Sequence, residues 1–223
     1  MIVTIDGPAG AGKSSAARVL AAKLGFRFLD TGAMYRAVTL AALEQGIDLD
    51  DGQALQQLAE EIDIHLTDGK VRLNGRDVTR AIRTFDITTA TKHAADNQGV
   101  RSRLVELQRQ AAAGHDVVTE GRDQASVVFP DAECKIFLTA SDEVRAQRRY
   151  EDLLGRGEQV TFEEVLAKQQ ERDARDCSRP VGGLRKTPDT IEVSTDGMSP
   201  DEVVEQLMEL VASRRPAASK SGE

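Results

Sequence analysis

Residues 2–15 read IVTIDGPAGAGKSS, and the stretch from Gly7 to Ser14 matches the phosphate-loop pattern GxxxxGK[ST]. Glycines in this pattern allow the backbone to wrap a phosphate group with its N–H groups pointing inward. The β-branched run before Gly7 predicts a short buried strand, and residues 13–24 predict a helix that ends at Gly25. A strand, a glycine-rich loop and a helix in this order indicate a nucleotide-binding α/β fold.

Two side chains of the loop carry the chemistry that the pattern predicts. Lys13 is expected to reach the β- and γ-phosphates of a nucleotide, and the Ser14 hydroxyl is expected to hold Mg²⁺. The loop alone is compatible with a kinase, a GTP-dependent switch or a motor ATPase. A guanine-specific switch would normally carry N-K-x-D, and the sequence contains no Asn-Lys dipeptide. A translocating ATPase would usually present a basic face to its polymer.

Composition limits the partners further. The chain has 223 residues, with 29 Lys and Arg against 37 Asp and Glu, so the formal net charge is -8. This balance argues against a nucleic-acid polymer as partner, although it allows a local cationic site for a small anion. No stretch approaches the ~20 apolar residues of a membrane span, and residues 1–6 do not resemble a signal peptide. Because no membrane span is predicted, we expect no membrane partner. Because Cys134 and Cys177 are isolated and no signal peptide is predicted, we expect a cytoplasmic protein.

Hydrophobic periodicity predicts that strands and helices alternate along most of the chain. Further strands are predicted at residues 26–29, 116–119, 134–139 and 190–193. Further helices are predicted at residues 33–45, 51–62, 85–113 (with a break allowed at 97–99), 142–153, 162–178, and after a capping box at 199–202. This alternation predicts a central parallel sheet with helices on both faces.

Residues 64–78 interrupt that alternation. Three short strand-like runs, at 64–67, 70–73 and 76–78, are separated by Asp68-Gly69 and Asn74-Gly75. Asp-Gly and Asn-Gly are strong hairpin signals, so we predict a small antiparallel sheet inserted into the α/β chain. At the other end of the chain, residues 216–223 are predicted to form a disordered tail.

Arginines are concentrated in two groups in the second half of the chain. The group on one face of the helix predicted at 162–178 consists of Arg172, Arg175 and Arg179. The group that precedes a polar loop at 155–161, which we expect to be mobile, consists of Arg145, Arg148 and Arg149. Two such helices predict a lid that closes over a nucleotide, excludes water and brings cations to the phosphates. The alternative is a solvated helix surface with pairs such as Glu171–Arg175.

Two polar segments follow predicted strands, at the sheet edge where open α/β sheets bind ligands. Asp30 and Thr31 follow the second strand, and Arg36 lies one turn further on, where it could meet an acceptor phosphate. Glu120-Gly121-Arg122-Asp123 follows the third strand. The alternatives are simple helix capping by Asp30 or Thr31 and a salt-bridge network at residues 120–123.

Over residues 2–211 the chain resembles the bacterial cytidylate kinases, of the nucleoside monophosphate kinase group. The segments that carry the resemblance are IDGPAGAGKSS (5–15), LDTGAMYRA (29–37), EGRD (120–123), VVFPDA (127–132), KIFLTAS (135–141), QRRYEDL (147–153) and RDARDCSRP (172–180). The chain departs from the family pattern at Lys92, at Gln124-Ala125-Ser126 and at residues 183–190. These departures concern the base and the ribose rather than the phosphoryl groups.

The resemblance implies transfer of the ATP γ-phosphoryl group to CMP or dCMP, with Mg²⁺ as cofactor. It implies a P-loop kinase fold with a core at residues 1–30, 114–147 and 188–215, an acceptor (NMP-binding) region at 31–113, and a lid at 148–180. Because the acceptor phosphate is already anionic at pH 7, no strong general base is required, and catalysis would come from alignment and charge neutralisation.

The resemblance and the strand-end positions together give a set of predicted site residues. The ATP-binding set is Gly7, Pro8, Ala9, Gly10, Ala11, Gly12, Lys13, Ser14, Ser15 and Arg148. The CMP-binding set is Asp30, Thr31, Arg36, Arg101, Arg122, Asp123, Arg172 and Asp176. The catalytic set is Lys13, Arg149, Arg175 and Arg179, and the metal ligand is Ser14. We expect a monomer. Two other functions stay open: another small-molecule P-loop kinase, acting on UMP, AMP or a metabolite, and a non-catalytic nucleotide-binding switch.

Overall fold

Two sheets organise the structure, a computed structural model that describes residues 1–67, 69–155 and 157–215. The strands are β1 (Ile2–Asp6), β2 (Arg27–Asp30), β3 (Ile64–Thr67), β4 (Lys70–Leu73), β5 (Arg76–Asp77), β6 (Val117–Gly121), β7 (Cys134–Thr139) and β8 (Ile191–Ser194). Five strands form a parallel sheet in the order β2-β6-β1-β7-β8, and β3-β4-β5 form an antiparallel sheet. Both predicted sheets are thereby confirmed.

Helices connect these strands. They are α1 (Lys13–Leu24), α2 (Thr31–Glu44), α3 (Gly52–Glu61), α4 (Phe85–Asp96), α5 (Gln98–Ala112), α6 (Asp142–Gly155), α7 (Phe162–Ser178) and α8 (Pro200–Arg214), with a π-helical turn at Gln124–Val128 and a 3-10 turn at Ala81–Arg83. The break allowed at 97–99 is confirmed at Asn97, whose side chain accepts a hydrogen bond from the Val100 N–H and caps α5. The π-helical turn is absent from the sequence prediction.

The parallel sheet is covered on both faces, as predicted. Val117 and Val118 are neighbours in β6, and their side chains enter different apolar clusters because strand side chains alternate between faces. Val118 packs with buried residues of α1 and α8, such as Leu20 and Leu207. Val117 packs with Ala112 of α5 and with residues that follow the π-helical turn. The strand ends that carry polar residues therefore lie at one edge of a sheet that is fixed from both sides.

The inserted antiparallel sheet belongs to a separate apolar cluster. Val71 and Leu73 of β4 are buried together with residues from α2, α3, α4 and α5. The turn at Asn74-Gly75 is confirmed: the two residues have φ of 50° and 79°, a left-handed pair that suits a two-residue hairpin. The other predicted turn includes Asp68, which lies outside the described residues.

Helices α6 and α7 share a small core of their own. Ala146, Leu153 and Val165 are buried between them, and the rings of Tyr150 and Phe162 meet edge to face with centroids 6.3 Å apart. Of the predicted loop at 155–161, only Arg156 lies outside the described residues, whereas the whole predicted tail at 216–223 lies outside them. Within the described ranges, no helix has the length and apolar character needed to cross a membrane.

The packing of α8 leads to a stability prediction. Leu207 is fully buried against the sheet, so Leu207→Ala should lower the free energy of unfolding by about 3 kcal/mol through lost apolar contacts and a cavity. Glu209→Ala, on the exposed side of the same helix, should change it by less than about 0.5 kcal/mol. Urea denaturation of both variants measures the difference, and similar losses would contradict this packing.

Candidate active site

The phosphate loop joins the end of β1 to the start of α1. Gly7 has φ of 150°, and a Cβ at this position would lie 2.0 Å from the Leu138 carbonyl oxygen of β7. Gly12 has φ of 86° immediately before α1, a left-handed conformation that favours glycine. These two glycines let the loop turn tightly against the sheet and direct the first N–H groups of α1 towards the space above the strand ends.

Lys13 lies buried under this loop. Its Nζ donates a hydrogen bond to the Pro8 carbonyl oxygen at 2.6 Å. Burial, followed by the repulsion of the nearby Arg122 guanidinium, lowers the pKa of Lys13 to about 7. An anion bound in the loop would favour the charged form of Lys13, so the loop is poised to gain a full positive charge when it binds phosphate.

Ser14 and Glu120 bring two oxygen ligands together beside the loop. The Ser14 hydroxyl donates to Glu120 Oε1 at 2.8 Å, and Glu120 is buried at the end of β6. Hydroxyl and carboxylate oxygens are ligands that suit Mg²⁺, which commonly takes one or two protein ligands and completes its shell with phosphates and water. In agreement, the described residues contain no cluster of three or more His, Cys, Asp or Glu that could hold a metal alone. The sequence prediction proposes Ser14 as the metal ligand and does not include Glu120, whose carboxylate the structure places beside it.

Asp30 ends β2, and Thr31 is the first residue of α2. Asp30 accepts from the Ala33 N–H at 2.9 Å and caps α2, so the capping alternative is correct, but the same carboxylate also contacts two arginines. Arg36 approaches it at 3.3 Å and Arg83 at 3.1 Å. Thr31 donates to the backbone oxygen of Glu120 at 2.7 Å, which ties α2 to β6. Arg83 is a cation that sequence reasoning missed.

A chain of ion pairs connects the end of β6 with α4, α5 and α7. Its members are the buried pair Arg101–Asp123, Arg122–Asp176 (2.7 Å), Asp176–Arg179 (2.7 Å) and Arg179–Asp96 (2.5 Å). Burial acts to raise the pKa of Asp176, but Arg122 and Arg179 together hold it below its usual range. Asp176 is therefore a buried anion that two arginines keep ionised. The salt-bridge alternative for residues 120–123 describes this arrangement correctly, with partners far away in the sequence.

Arg101, which is predicted from the sequence to bind CMP, contacts several separate parts of the chain. It pairs with Asp123, donates to the Ala95 oxygen at 3.2 Å, and lies over the Tyr35 ring with 5.7 Å to the centroid. Its Nη2 also approaches the Gly182 oxygen at 3.4 Å. This guanidinium therefore lies where α2, α4 and α5 meet the segment that follows α7.

The arginines of the predicted lid lie in different surroundings. Arg149 and Arg172 lie close enough for their charges to interact, and Arg172 also interacts with Arg122 and Lys13. Arg148 donates to the Thr195 hydroxyl at 3.0 Å, beyond the end of β8. Arg175 instead forms an exposed pair with Glu171 at 2.6 Å, which matches the surface alternative.

Arg145 anchors these helices to the phosphate loop. Its guanidinium donates to the Ala9 oxygen at 2.8 Å and to Asp173 of α7 at 2.5 Å, and it is buried. The loop, α6 and α7 are thus joined through one side chain. The structure brings Lys13, Arg122 and Arg172 close enough for their charges to interact, sets the Arg101–Asp123 pair next to Arg122 in the chain, and places Arg175 at the surface of α7.

Comparison with known proteins gives a consistent result. The family model for cytidylate kinase matches residues 3–213. A cytidylate kinase of Rhodopirellula baltica is 53% identical over 211 residues, covering 95% of this chain and 92% of that protein. A cytidylate kinase of Bacillus subtilis is 44% identical, covering 94% and 95%. A bifunctional pantoate ligase/cytidylate kinase of Synechococcus sp. is 45% identical, covering 94% of this chain and 40% of that protein.

Solved structures with low sequence identity share the fold. A gluconokinase of Sinorhizobium meliloti superposes with a TM-score of 0.51 at 17% identity, covering 95% of this chain and 91% of that one. A protein from Eubacterium ventriosum superposes with a TM-score of 0.54 at 14% identity, covering 96% and 99%. The phosphate loop, the inserted antiparallel sheet and the full-length sequence matches agree: this chain belongs to the cytidylate kinase family.

Proposed function

We propose that this kinase transfers the γ-phosphoryl group of ATP to CMP or dCMP, giving ADP and the corresponding diphosphate. One observation carries the proposal: the charge of Lys13 in the phosphate loop interacts with that of Arg122, which in turn pairs with Asp176. A donor site and an acceptor site that share one cleft suit direct transfer between two bound nucleotides. Family membership supports cytosine as the base of the acceptor.

On the donor side, the phosphate loop binds ATP. The proposed contacts are Gly7, Pro8, Ala9, Gly10, Ala11, Gly12, Lys13, Ser14, Ser15 and Arg148. Ser14 and Glu120 would hold Mg²⁺, since their oxygens already lie 2.8 Å apart. When bound, the ion would neutralise phosphate charge. Lys13 would exchange the Pro8 oxygen for a phosphate oxygen, a better partner for an ammonium group.

On the acceptor side, arginines provide the binding charge. The proposed contacts are Asp30, Thr31, Arg36, Arg83, Arg101, Arg122, Asp123, Arg172 and Asp176. Arg36 and Arg83 converge on a single carboxylate, Asp30, so this corner keeps a net positive charge that suits the acceptor phosphate. The carboxylates of Asp123 and Asp176 fix the guanidinium groups and can accept hydrogen bonds from the base or ribose.

Charge neutralisation during transfer falls to Lys13, Arg149, Arg175 and Arg179. Arg179 already lies between Asp96 and Asp176, at the junction of acceptor helix and lid helix. Arg175 would have to leave Glu171, which costs little because exposed pairs contribute at most about 1 kcal/mol. Closure of α6 and α7 over the bound nucleotides would exclude water. Transfer to CMP would then be favoured over hydrolysis of ATP.

The same proposal divides the chain into functional regions. The core comprises residues 1–30, 114–147 and 188–215, the acceptor region 31–113 and the lid 148–180. The separate apolar clusters of α2–α5 and of α6–α7 support this division. Because one chain supplies all proposed site residues, we propose a monomer. The free thiols of Cys134 and Cys177 suit a reducing compartment, so we propose the cytoplasm.

The proposed reaction can be tested by coupled detection of ADP. With ATP and Mg²⁺, CMP and dCMP should release ADP at least about tenfold faster than UMP, AMP or no acceptor, because binding of the correct acceptor completes the cleft. Equal rates across the acceptors would indicate a different kinase. ATP binding without acceptor-dependent ADP would indicate a nucleotide-binding switch instead.

Replacement of Lys13 separates catalysis from folding. Lys13→Met should lower kcat by about 10³-fold, since the transferring phosphoryl group loses a positioned cation. It should not lower Tm, because burial depresses the pKa of Lys13 to about 7 and methionine carries no charge into that site. Lys23→Met, on the exposed end of the same helix, is the control. Near wild-type kcat in Lys13→Met would exclude the phosphate-loop assignment.

Replacement of Arg101 tests the acceptor assignment. Arg101→Ala should raise KM for CMP by at least about tenfold and change KM for ATP by less than about twofold, since Arg101 contacts Asp123 and Tyr35 on the acceptor side. Arg103→Ala, in the same helix and paired with Glu106, should leave both constants unchanged. Equal increases in both KM values would remove Arg101 from the acceptor site.

A further inference from the structure

Asp6, the last residue of β1, makes a contact that the proposed chemistry does not use. Its side chain is 1% exposed, and both carboxylate oxygens accept backbone hydrogen bonds. Oδ1 accepts from the Gln124 N–H at 3.0 Å, and Oδ2 accepts from the Ala125 N–H at 2.8 Å. These donors are the first two residues of the π-helical turn, where N–H groups lack a partner within the helix. A carboxylate from a different strand thus caps this turn.

The contact connects the donor loop with the acceptor segment. Asp6 immediately precedes Gly7, and the turn that it caps immediately follows Arg122 and Asp123. Pairing between β1 and β6 ends at Asp6 and Gly121, so beyond Gly121 the sheet no longer fixes the chain. The two hydrogen bonds to Asp6 therefore tie the Arg122–Asp123 segment directly to the start of the phosphate loop, whereas the pairs Arg122–Asp176 and Asp123–Arg101 tie it to α7 and α5.

Burying the Asp6 carboxylate at this position costs free energy. Burial raises its pKa to about 7 despite the two backbone hydrogen bonds. The charge of Asp123 adds to this increase, and the charge of Lys13 opposes it. A buried carboxylate need not stabilise the fold, because the free-energy cost of its desolvation can exceed the gain from its hydrogen bonds and charge partners. Such a group at the junction of donor and acceptor segments points to a role in geometry.

We propose that Asp6 is a positioning residue for phosphoryl transfer, whose carboxylate holds the Arg122–Asp123 segment in place against the phosphate loop. This role rests on the proposed function. Arg122 contacts Asp176 and Asp123 contacts Arg101, so a shift of the segment would displace acceptor contacts while leaving the loop itself intact. Since transfer requires two reactants at near-contact distance, a small displacement lowers the rate steeply.

The same turn offers a matched control on its other side. The Gln124 side chain accepts from the Thr119 hydroxyl at 2.8 Å and donates to Gln108 of α5 at 3.1 Å. These bonds hold the turn to α5 and do not involve the phosphate loop. Gln124→Met keeps the side-chain volume and the Gln124 N–H, and removes only these side-chain bonds.

The test combines kinetics with amide exchange on the full chain. In Asp6→Asn, one amide oxygen replaces two carboxylate oxygens, and the NH₂ group faces a donor. We expect kcat with CMP to fall at least about tenfold and KM for CMP to rise, while Kd for ATP changes less than about twofold. Exchange of the Gln124 and Ala125 amides should accelerate. Gln124→Met should lower Tm about as much as Asp6→Asn does, but it should retain kcat within about threefold.

Asp6→Glu separates position from charge, and serves also if the Asn variant does not fold. It keeps the charge but moves the oxygens by one methylene, so it should lose kcat as Asp6→Asn does. Full activity in Asp6→Glu would overturn the proposal, as would equal losses in Asp6→Asn and Gln124→Met, or unchanged exchange at residues 124–125. Wild-type protein that forms no ADP with CMP would overturn the proposed function and this role with it, while the exchange measurement would still report on the contact.

Discussion

In-register pairing of three parallel strands is the constraint on which the site depends. Asp6, Asp30 and Glu120 all lie at the carboxyl ends of their strands, and the register places Asp30 opposite Glu120 and Asp6 opposite Gly121. A sheet covered on both faces cannot slip by one residue without turning its apolar side chains towards the wrong layer. The burial of alternating residues such as Val117 and Val118 therefore fixes Glu120, the Asp30 cap of α2 and the start of the phosphate loop together.

Charge compensation within the cleft explains how an acidic chain forms a phosphate site. The net charge is -8, yet the arginines near Lys13 are held by the protein's own carboxylates, among them Asp176 and Asp123. Each of these carboxylates fixes a guanidinium group before a nucleotide arrives, which reduces the ordering cost of binding. This arrangement favours a kinase with two nucleotide sites over a simple nucleotide-binding switch, because the ion-pair chain extends well beyond the loop that a switch would need.

Local signals predicted much of this structure, and long-range contacts supplied the rest. The phosphate loop, the Asn74-Gly75 turn and the break before α5 follow from short motifs whose physics lies within a few residues. Glu120 meets Ser14, and Asp6 meets Gln124, across more than 100 residues of sequence, so no local pattern could reveal either contact. The clustering of arginines predicted cations near the phosphate loop, and Arg172 does lie close enough to Lys13 for their charges to interact. The clustering could not show that Arg175 faces Glu171 at the surface, since helix spacing gives a face but not its neighbours.

The anchoring of α6 and α7 shows how nucleotide binding could be coupled to closure. Arg145 donates to the Ala9 oxygen and to Asp173, and a guanidinium with five donors can keep both contacts at once. The two helices share an apolar core, so we expect them to move together in any closure. Opposite this anchor, Arg179 contacts Asp96, whose side chain is 41% exposed, and Asp176, which is buried. A phosphate group carries more charge than Asp96 and can displace it from Arg179, whereas the buried pair with Asp176 persists. We therefore expect a substrate phosphate to exchange the exposed contact, while the buried contact with Asp176 keeps the guanidinium in place.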